Sequence, residues 1–457
     1  MPITRLLARR RALTIHHHQA PVNNLPIELL AEIFSIGLHH YRPDDHRAIK
    51  YLSTISSICA TWRGAALGAS SLWRRIVYTD HGDDPHKIHA ISRHTKDRLI
   101  AYLSRSKSCG FFLHLRFGAS SLKIQAIKRI LQPHLSRCHS IWLSFMLETD
   151  MEDLFPLPGN LCRLTEFTCV SCTLNRSNFG SIERAPLPIF AEPERVSLRK
   201  LILKHCRLSL DGINVQDLRL THIYPPWPKR LTFIPQCHSL TTLITPDFNL
   251  FDPEQPPFTL PNLTYLDTVG FTMLKVAHTP NLQTLALTDV DGDKFANTVV
   301  RLPSLPALTT LCVIFGDLSS EKIKRFLALN TGIMRIMLSD CDGTSDLVRL
   351  LKTDDAGSAA NTLSTMLLPS LSLLQVCDSS IPDADGFHHL FACRPTLRIE
   401  HGETRGVGHF YGSELKETIE EFGQNSEPGV FKFRDFRRRI VVREDGNTEL
   451  QTASADA

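Results

Sequence analysis

The residues with the clearest claim to chemistry are Cys169-Val170-Ser171-Cys172, with Cys162 shortly before them. A Cys-x-x-Cys pair can exchange disulfides or supply half of a zinc site. Zinc requires a second pair at comparable spacing, and none of the chain's 12 cysteines provides it. Cysteines spread through a long chain fit reduced, buried thiols better than a disulfide scaffold. Asp289-Val290-Asp291-Gly292-Asp293 resembles the start of a calcium loop, but the closing glutamate is missing and the position falls near Arg301. His16, His17 and His18 are adjacent and do not converge on one ion, so they read as solvated. No Gly-x-x-x-x-Gly-Lys phosphate loop, His-Glu-x-x-His or Gly-x-Ser-x-Gly elbow is present. The reading is therefore of a chain that is not an enzyme, with no catalytic residue, no metal and no cofactor.

The same cysteines have a structural reading. Cys169 and Cys172 fall in a template, apolar-x-x-apolar-x-apolar-x-x-(Cys or apolar), that returns along most of the chain. Clear copies are Leu164/Phe167/Cys169/Cys172, Leu198/Leu201/Leu203/Cys206, Val215/Leu218/Leu220/Ile223 and Leu282/Leu285/Leu287/Val290. Others are Leu308/Leu311/Val313/Gly316, Ile333/Ile336/Leu338/Cys341 and Leu371/Leu374/Val376/Ser379, with weaker starts at Cys138, Leu240 and Leu263. Cys172, Cys206 and Cys341 share one slot, where a thiol serves as a small core hydrophobe. This is the leucine-rich-repeat pattern. Within each copy the alternating apolar residues predict a short strand, and stacked copies predict a parallel sheet with one continuous core. Spacing between copies varies from 17 residues (Leu198 to Val215) to 38 (Ile333 to Leu371), so the array is irregular. Proline-rich intervals such as 176–196, Pro225 to Pro228 and Pro253 to Pro257 read as loops. Ser319 to Ala328 reads as a return helix with Ile323, Phe326 and Leu327 as its stripe.

Ahead of the array lies a segment with helical spacing. Asn24-Leu25-Pro26-Ile27-Glu28-Leu29-Leu30-Ala31-Glu32-Ile33-Phe34 opens with a helix-starting proline. Ile27, Leu30 and Phe34 form one stripe, and Leu29 and Ile33 widen it. After Pro43, Asp44 and Asp45, the residues Ile49, Leu52, Ile55, Cys59, Trp62 and Ala66 predict a second helix. Leu72, Trp73 and Ile76 make a third short apolar unit. A wide apolar face so near one end needs a cover, from this chain or from a partner.

The stretch from about Asn24 to Tyr78 resembles an F-box in its Leu-Pro opening, Glu-Leu-Leu-x-x-Ile-Phe core, Cys-x-x-Trp-Arg and closing Leu-Trp. The interval Gly37 to Tyr51 is longer and more charged than in compact members. The resemblance implies a three-helix module docking on the Skp-type adaptor of a cullin-RING ubiquitin ligase. It assigns adaptor contact to Leu25, Pro26, Leu29, Leu30, Ile33, Phe34, Cys59 and Trp62, with Trp62, Leu72 and Trp73 also holding the module together.

The expected fold class is α/β: an N-terminal three-helix F-box module followed by an irregular leucine-rich-repeat solenoid with a parallel sheet. The expected organisation is a disordered basic leader over 1–23, the F-box over 24–78, a helical linker over 79–108, the solenoid over 109–445 and a disordered tail over 446–457. The leader holds Arg5, Arg9, Arg10 and Arg11 and no acid, a composition shared with mitochondrial presequences as well as with unstructured basic leaders. A charge excess of +4 (51 − 47) predicts neither nucleic-acid nor membrane binding but a protein partner. Arg434, Arg437, Arg438 and Arg439 with Phe431, Phe433 and Phe436 read as a closing strand or helix with solvated arginines rather than a nucleic-acid patch. No stretch reaches the roughly 18 apolar residues of a membrane span, and the location expected is cytoplasmic, nuclear or both. The function expected is recruitment of a protein substrate to an SCF-type ligase; the alternative is a repeat scaffold unconnected to ubiquitin.

Overall fold

The computed structural model describes residues 22, 25–41, 46–79, 93–117, 121–145, 149–157, 160–171, 187–193, 196–204, 206, 208–221, 233–245, 256–269, 272–290, 304–317, 320–352, 367–377, 390, 394, 396–402, 431–435, 438–442 and 448–452. The chain divides into two compact units, Met1–Leu198 and Arg199–Ala457. The fold is mixed α/β with extensive parallel pairing.

The first unit opens with helices α1 (Ile27–His39), α2 (His46–Ile58) and α3 (Ala60–Gly68). A 3-10 turn, Ser70–Trp73, leads into strand β1 (Arg75–Thr79). There follow α4 (Arg93–Arg105), β2 (Phe111–Phe117), α5 (Ser121–Leu131), β3 (Cys138–Phe145), α6 (Thr149–Leu154) and β4 (Glu166–Ser171). The four strands pair in chain order, all parallel. Register aligns Ile76, Leu113, Ile141 and Phe167 in one buried column, and Tyr78, Leu115, Leu143 and Cys169 in the next. Phe117 and Phe145 stack beside them at 5.1 Å. Side chains two apart on a strand share a face, so these columns are the inner face of the sheet.

Three sequence expectations change here. The run predicted as one second helix is two, because Cys59 adopts extended backbone (φ −152°, ψ 174°) and breaks it. The third short apolar unit divides: Leu72 and Trp73 lie in the 3-10 turn, and Ile76 lies in β1, where it continues the inner column. Within 79–108, expected as a helical linker, the described helix α4 follows β1 and precedes its parallel partner β2, and Leu99, Tyr102 and Leu103 bury against the core. The strand array thus starts at Arg75, not at residue 109.

The unit boundary falls within β5 (Ser197–Lys204), and the second unit then carries β6 (Asn214–Thr221), β7 (Thr242–Thr245), β8 (Tyr265–Val269), α7 (Thr272–Val276), β9 (Thr284–Val290) and β10 (Thr310–Asp317). Then come α8 (Ser320–Leu329), β11 (Arg335–Asp342), α9 (Thr344–Lys352), β12 (Leu373–Cys377) and β13 (Arg398–Gly402). From β6 to β13 each strand pairs in parallel with the next. The inner column reads Leu218, Leu243, Leu266, Leu285, Leu311, Ile336, Leu374 and Ile399, every one fully buried. Each such side chain contributes about 1.5–3 kcal/mol by leaving water.

The template's leading residue precedes each strand, closing a turn in which Leu240, Leu263, Leu282, Leu308, Ile333, Leu371 and Leu397 donate their N–H to the carbonyl three residues back. The residue after it forms a rung. The N–H of Thr241, Thr264, Gln283, Thr309, Met334, Ser372 and Arg398 donates to the matching carbonyl of the preceding copy at 2.7–2.9 Å. Where that residue is hydroxylic, at Thr241, Thr264, Thr309 and Ser372, the hydroxyl donates to the same carbonyl. Phe315 and Asp340 sit at matched points of β10 and β11 with φ 52°, outside the ladder register, and they realign Gly316 with Cys341.

The end of the chain also departs from expectation. β14 (Phe431–Asp435) pairs in parallel with β13, then β15 (Arg438–Val442) and β16 (Thr448–Thr452) follow antiparallel. The closing strand or helix expected around Arg434 to Arg439 is a strand hairpin, and Thr448–Thr452 is a strand where a disordered tail was expected, pairing along its length with β15. The leader over 1–23, apart from Val22, lies outside the described residues, as do most of the proline-rich intervals.

Candidate docking surface

α1 starts at Pro26, which stands at the cap with extended backbone and lacks an N–H to satisfy. Its inward stripe is Leu30, Phe34 and Leu38, all buried. A second stripe about a third of a turn away is apolar and open: Leu29 is 51% exposed, Ile33 46% and Ile36 54%. Ile27, at the first turn beside the inward stripe, is 48% exposed. Glu28, Glu32 and His39 occupy the remaining face, and all are exposed. The helix therefore has an apolar side for its own core and another that this chain leaves uncovered among the described residues.

The rest of the module holds α1 in this orientation. Phe34 meets the Trp62 ring at 5.0 Å. Cys59 accepts from the Trp62 N–H through its sulfur at 3.5 Å, capping α3, while its carbonyl receives Arg63 N–H at 3.0 Å. Arg63 in turn donates from Nε to Ser56 O, tying α2 to α3. Cys-x-x-Trp-Arg is thus a helix–helix joint built from local bonds. Trp73 donates its indole N–H to Ala66 O at 2.8 Å and packs on Tyr102. Arg75 donates to Leu38 O and Tyr41 O, closing the C-terminal end of α1. At Gly37 an added Cβ would lie 2.2 Å from the Tyr51 hydroxyl, so glycine allows α1 and α2 to approach there.

The eight residues assigned to partner contact separate into two groups. Pro26, Leu29 and Ile33 are exposed, and Leu25 is half-buried at the same end. Leu30 and Phe34 face inward and are unavailable to a partner in this conformation, since they anchor α1 to the module. Cys59 and Trp62 are half-buried and structural in their bonding. Sequence reasoning missed Ile36 and Ile58, both about half exposed. The Leu29, Ile33, Ile36 spacing of four then three was readable; what hid it was a second stripe interleaved with the first.

No family model and no curated protein matches the chain.

The chemical candidates resolve differently. Cys169 is buried, Cys162 is exposed, and Cys172 lies outside the described residues, as do Asp291, Gly292, Asp293 and His16 to His18. Among the described residues no group of three or more His, Cys, Asp or Glu is placed to hold a metal ion. Among those residues, too, no helix is long and apolar enough to cross a membrane.

Proposed function

We propose that this chain is the substrate-recruiting subunit of an SCF-type cullin-RING ubiquitin ligase, with α1 to α3 as an F-box docking on a Skp-type adaptor. In this reading the strand array is an irregular leucine-rich-repeat solenoid that binds a protein substrate. One observation carries it: among the described residues Leu29, Ile33 and Ile36 stay open on a helix whose neighbouring stripe is already buried. An apolar strip of this kind on an anchored helix is the form taken by helix-in-groove and bundle interfaces. The motif residues around it, from Leu25-Pro26 to Leu72-Trp73, support the assignment by position.

The mechanism is recruitment. Holding a substrate on the same assembly as the transferring enzyme makes transfer effectively intramolecular, so no residue of this chain needs to act on a bond.

Covering a half-exposed leucine or isoleucine is worth about 1–1.5 kcal/mol. Leu29→Ala with Ile33→Ala should therefore weaken capture of purified Skp-type adaptor by about 30- to 150-fold. Because both side chains are outward, the thermal midpoint should stay within about 2 °C of wild type. Undiminished capture by the double variant would reject the assignment and leave the scaffold reading.

A further inference from the structure

A cavity of about 1000 Å³ lies in the first unit, between α2, α4 and the edge strand β1 with its neighbour β2. Its walls are strongly basic. α2 contributes Lys50, α4 contributes His94, Arg98 and Arg105 along one face, and β2 contributes His114 and Arg116. The only acid among the lining residues is Asp97, which lies 4.0 Å from Arg93. Counting Lys and Arg against Asp, the lining carries +3 (4 − 1) before either histidine is protonated.

Among the described residues no carboxylate pairs with Lys50, Arg98, Arg105 or Arg116. Arg105 is placed by its guanidinium lying 4.5 Å from the Trp73 ring centre, an arrangement that orients it without neutralising it. Hydroxyls of Ser53, Thr79 and Thr95 stand in the same lining. Beyond β1 the sheet face continues with Phe112 and Trp142, each about 40% exposed, and the Trp142 ring lies 5.2 Å from His114. Four cations with no carboxylate partner among the described residues, set among hydroxyls, match a multiply charged oxyanion, and planar guanidinium forks bind phosphate bidentately.

We infer that this cavity is a binding site for a phosphate-bearing ligand, either a small polyphosphorylated molecule or a phosphorylated side chain of a bound protein. The site is separate from the α1 strip and does not depend on the adaptor assignment. Its volume exceeds that of one phosphate group, so a ligand with several phosphates, or one phosphate on a larger body reaching Phe112 and Trp142, fills it better.

Calorimetric titration of the full chain tests this, with inorganic pyrophosphate, inositol hexakisphosphate and a phosphoserine peptide as probes. Saturable one-site binding that weakens with added salt is expected. Lys50→Glu with Arg116→Glu, both at exposed positions, should lower affinity at least about tenfold, as expected when charge-assisted bonds are lost. Lys96→Glu with Arg129→Glu, both exposed and outside the cavity lining, makes the same net charge change and should leave affinity within about threefold. Leu29→Ala with Ile33→Ala should leave it unchanged. Tighter binding of inositol hexakisphosphate identifies a small ligand, and tighter binding of the phosphopeptide identifies a modified partner; either supports the site. No saturable binding, equal losses in the two charge-reversal pairs, or a single-stranded oligonucleotide outbinding all three probes would overturn it.

Discussion

A thiol in an apolar interior donates to the nearest carbonyl and resists ionisation. Cys341 does both: its sulfur donates to Val313 O and Ser339 O, and burial pushes its pKa up to about 12. Cys237 follows the same pattern, donating to Ile213 O and rising to about 11. Burial likewise holds the Cys138 thiol far above its ordinary range. Because the thiolate is the reactive form, these residues are poor nucleophiles and poor metal ligands. Thiol labelling of the native chain at pH 8 should modify exposed Cys162 quickly, and should modify Cys138, Cys237 and Cys341 only at the rate of unfolding. Their raised pKa values also set a pH dependence. The stabilisation they confer is complete below the unfolded thiol pKa of about 9 and is lost as pH rises toward 11–12. Denaturant midpoints should therefore fall above pH 9; a midpoint that rises through that range would contradict the burial. The repeat register made this role legible in the sequence for Cys206 and Cys341, since slot and residue type agreed. The same could not be read for Cys59, whose capping bond depends on a break in the helix that apolar spacing alone does not encode.

At the scale of elements, the strands were legible and the connections were not. Apolar alternation marks Leu285, Leu311, Ile336 and Leu374, and all lie in one buried column. The strand β2 escaped notice because Phe112, pointing outward between the inward Phe111 and Leu113, breaks the apolar-polar alternation at its start. The copy ending in β13 escaped because Leu397 precedes Ile399 by two residues where Leu371 precedes Leu374 by three. Short helices such as Thr344–Lys352 form on tertiary packing, with Leu347, Val348 and Leu351 buried, rather than on propensity. One polar residue joins two such connections. Asn330, buried at the end of α8, donates from Nδ2 to Phe326 O and accepts Leu305 N–H through Oδ1, each at 2.9 Å. Asn330→Leu would remove the acceptor of the buried Leu305 N–H and the amide bond to Phe326 O, and should cost about 1–3 kcal/mol in urea unfolding. Leu329→Ala next to it, half exposed, should change stability by under about 0.5 kcal/mol. Equal effects of the two would show that the bonds contribute little.

Across the whole molecule, the two compact units do not coincide with the module and array expected from the sequence. The first unit joins the N-terminal helices to four strands, because Trp73, Tyr102 and Arg105 pack the module onto α4 and Arg75 bonds back to α1. The module is therefore a built-in end of its unit, which fixes the direction in which Leu29, Ile33 and Ile36 project. Which face of α1 stays open was not legible, since two interleaved apolar stripes read alike until packing assigns one inward. Resemblance singled out Leu29 and Ile33 together with Leu30 and Phe34, and only burial separates the pair that holds the fold from the pair left exposed. The direct test is a binding isotherm between the full chain and a purified Skp-type adaptor, followed by light scattering of the mixture. A one-to-one complex with a dissociation constant at or below about 1 μM, equivalent to roughly 8 kcal/mol, is expected. Two species that elute and scatter separately at concentrations of tens of micromolar would contradict it.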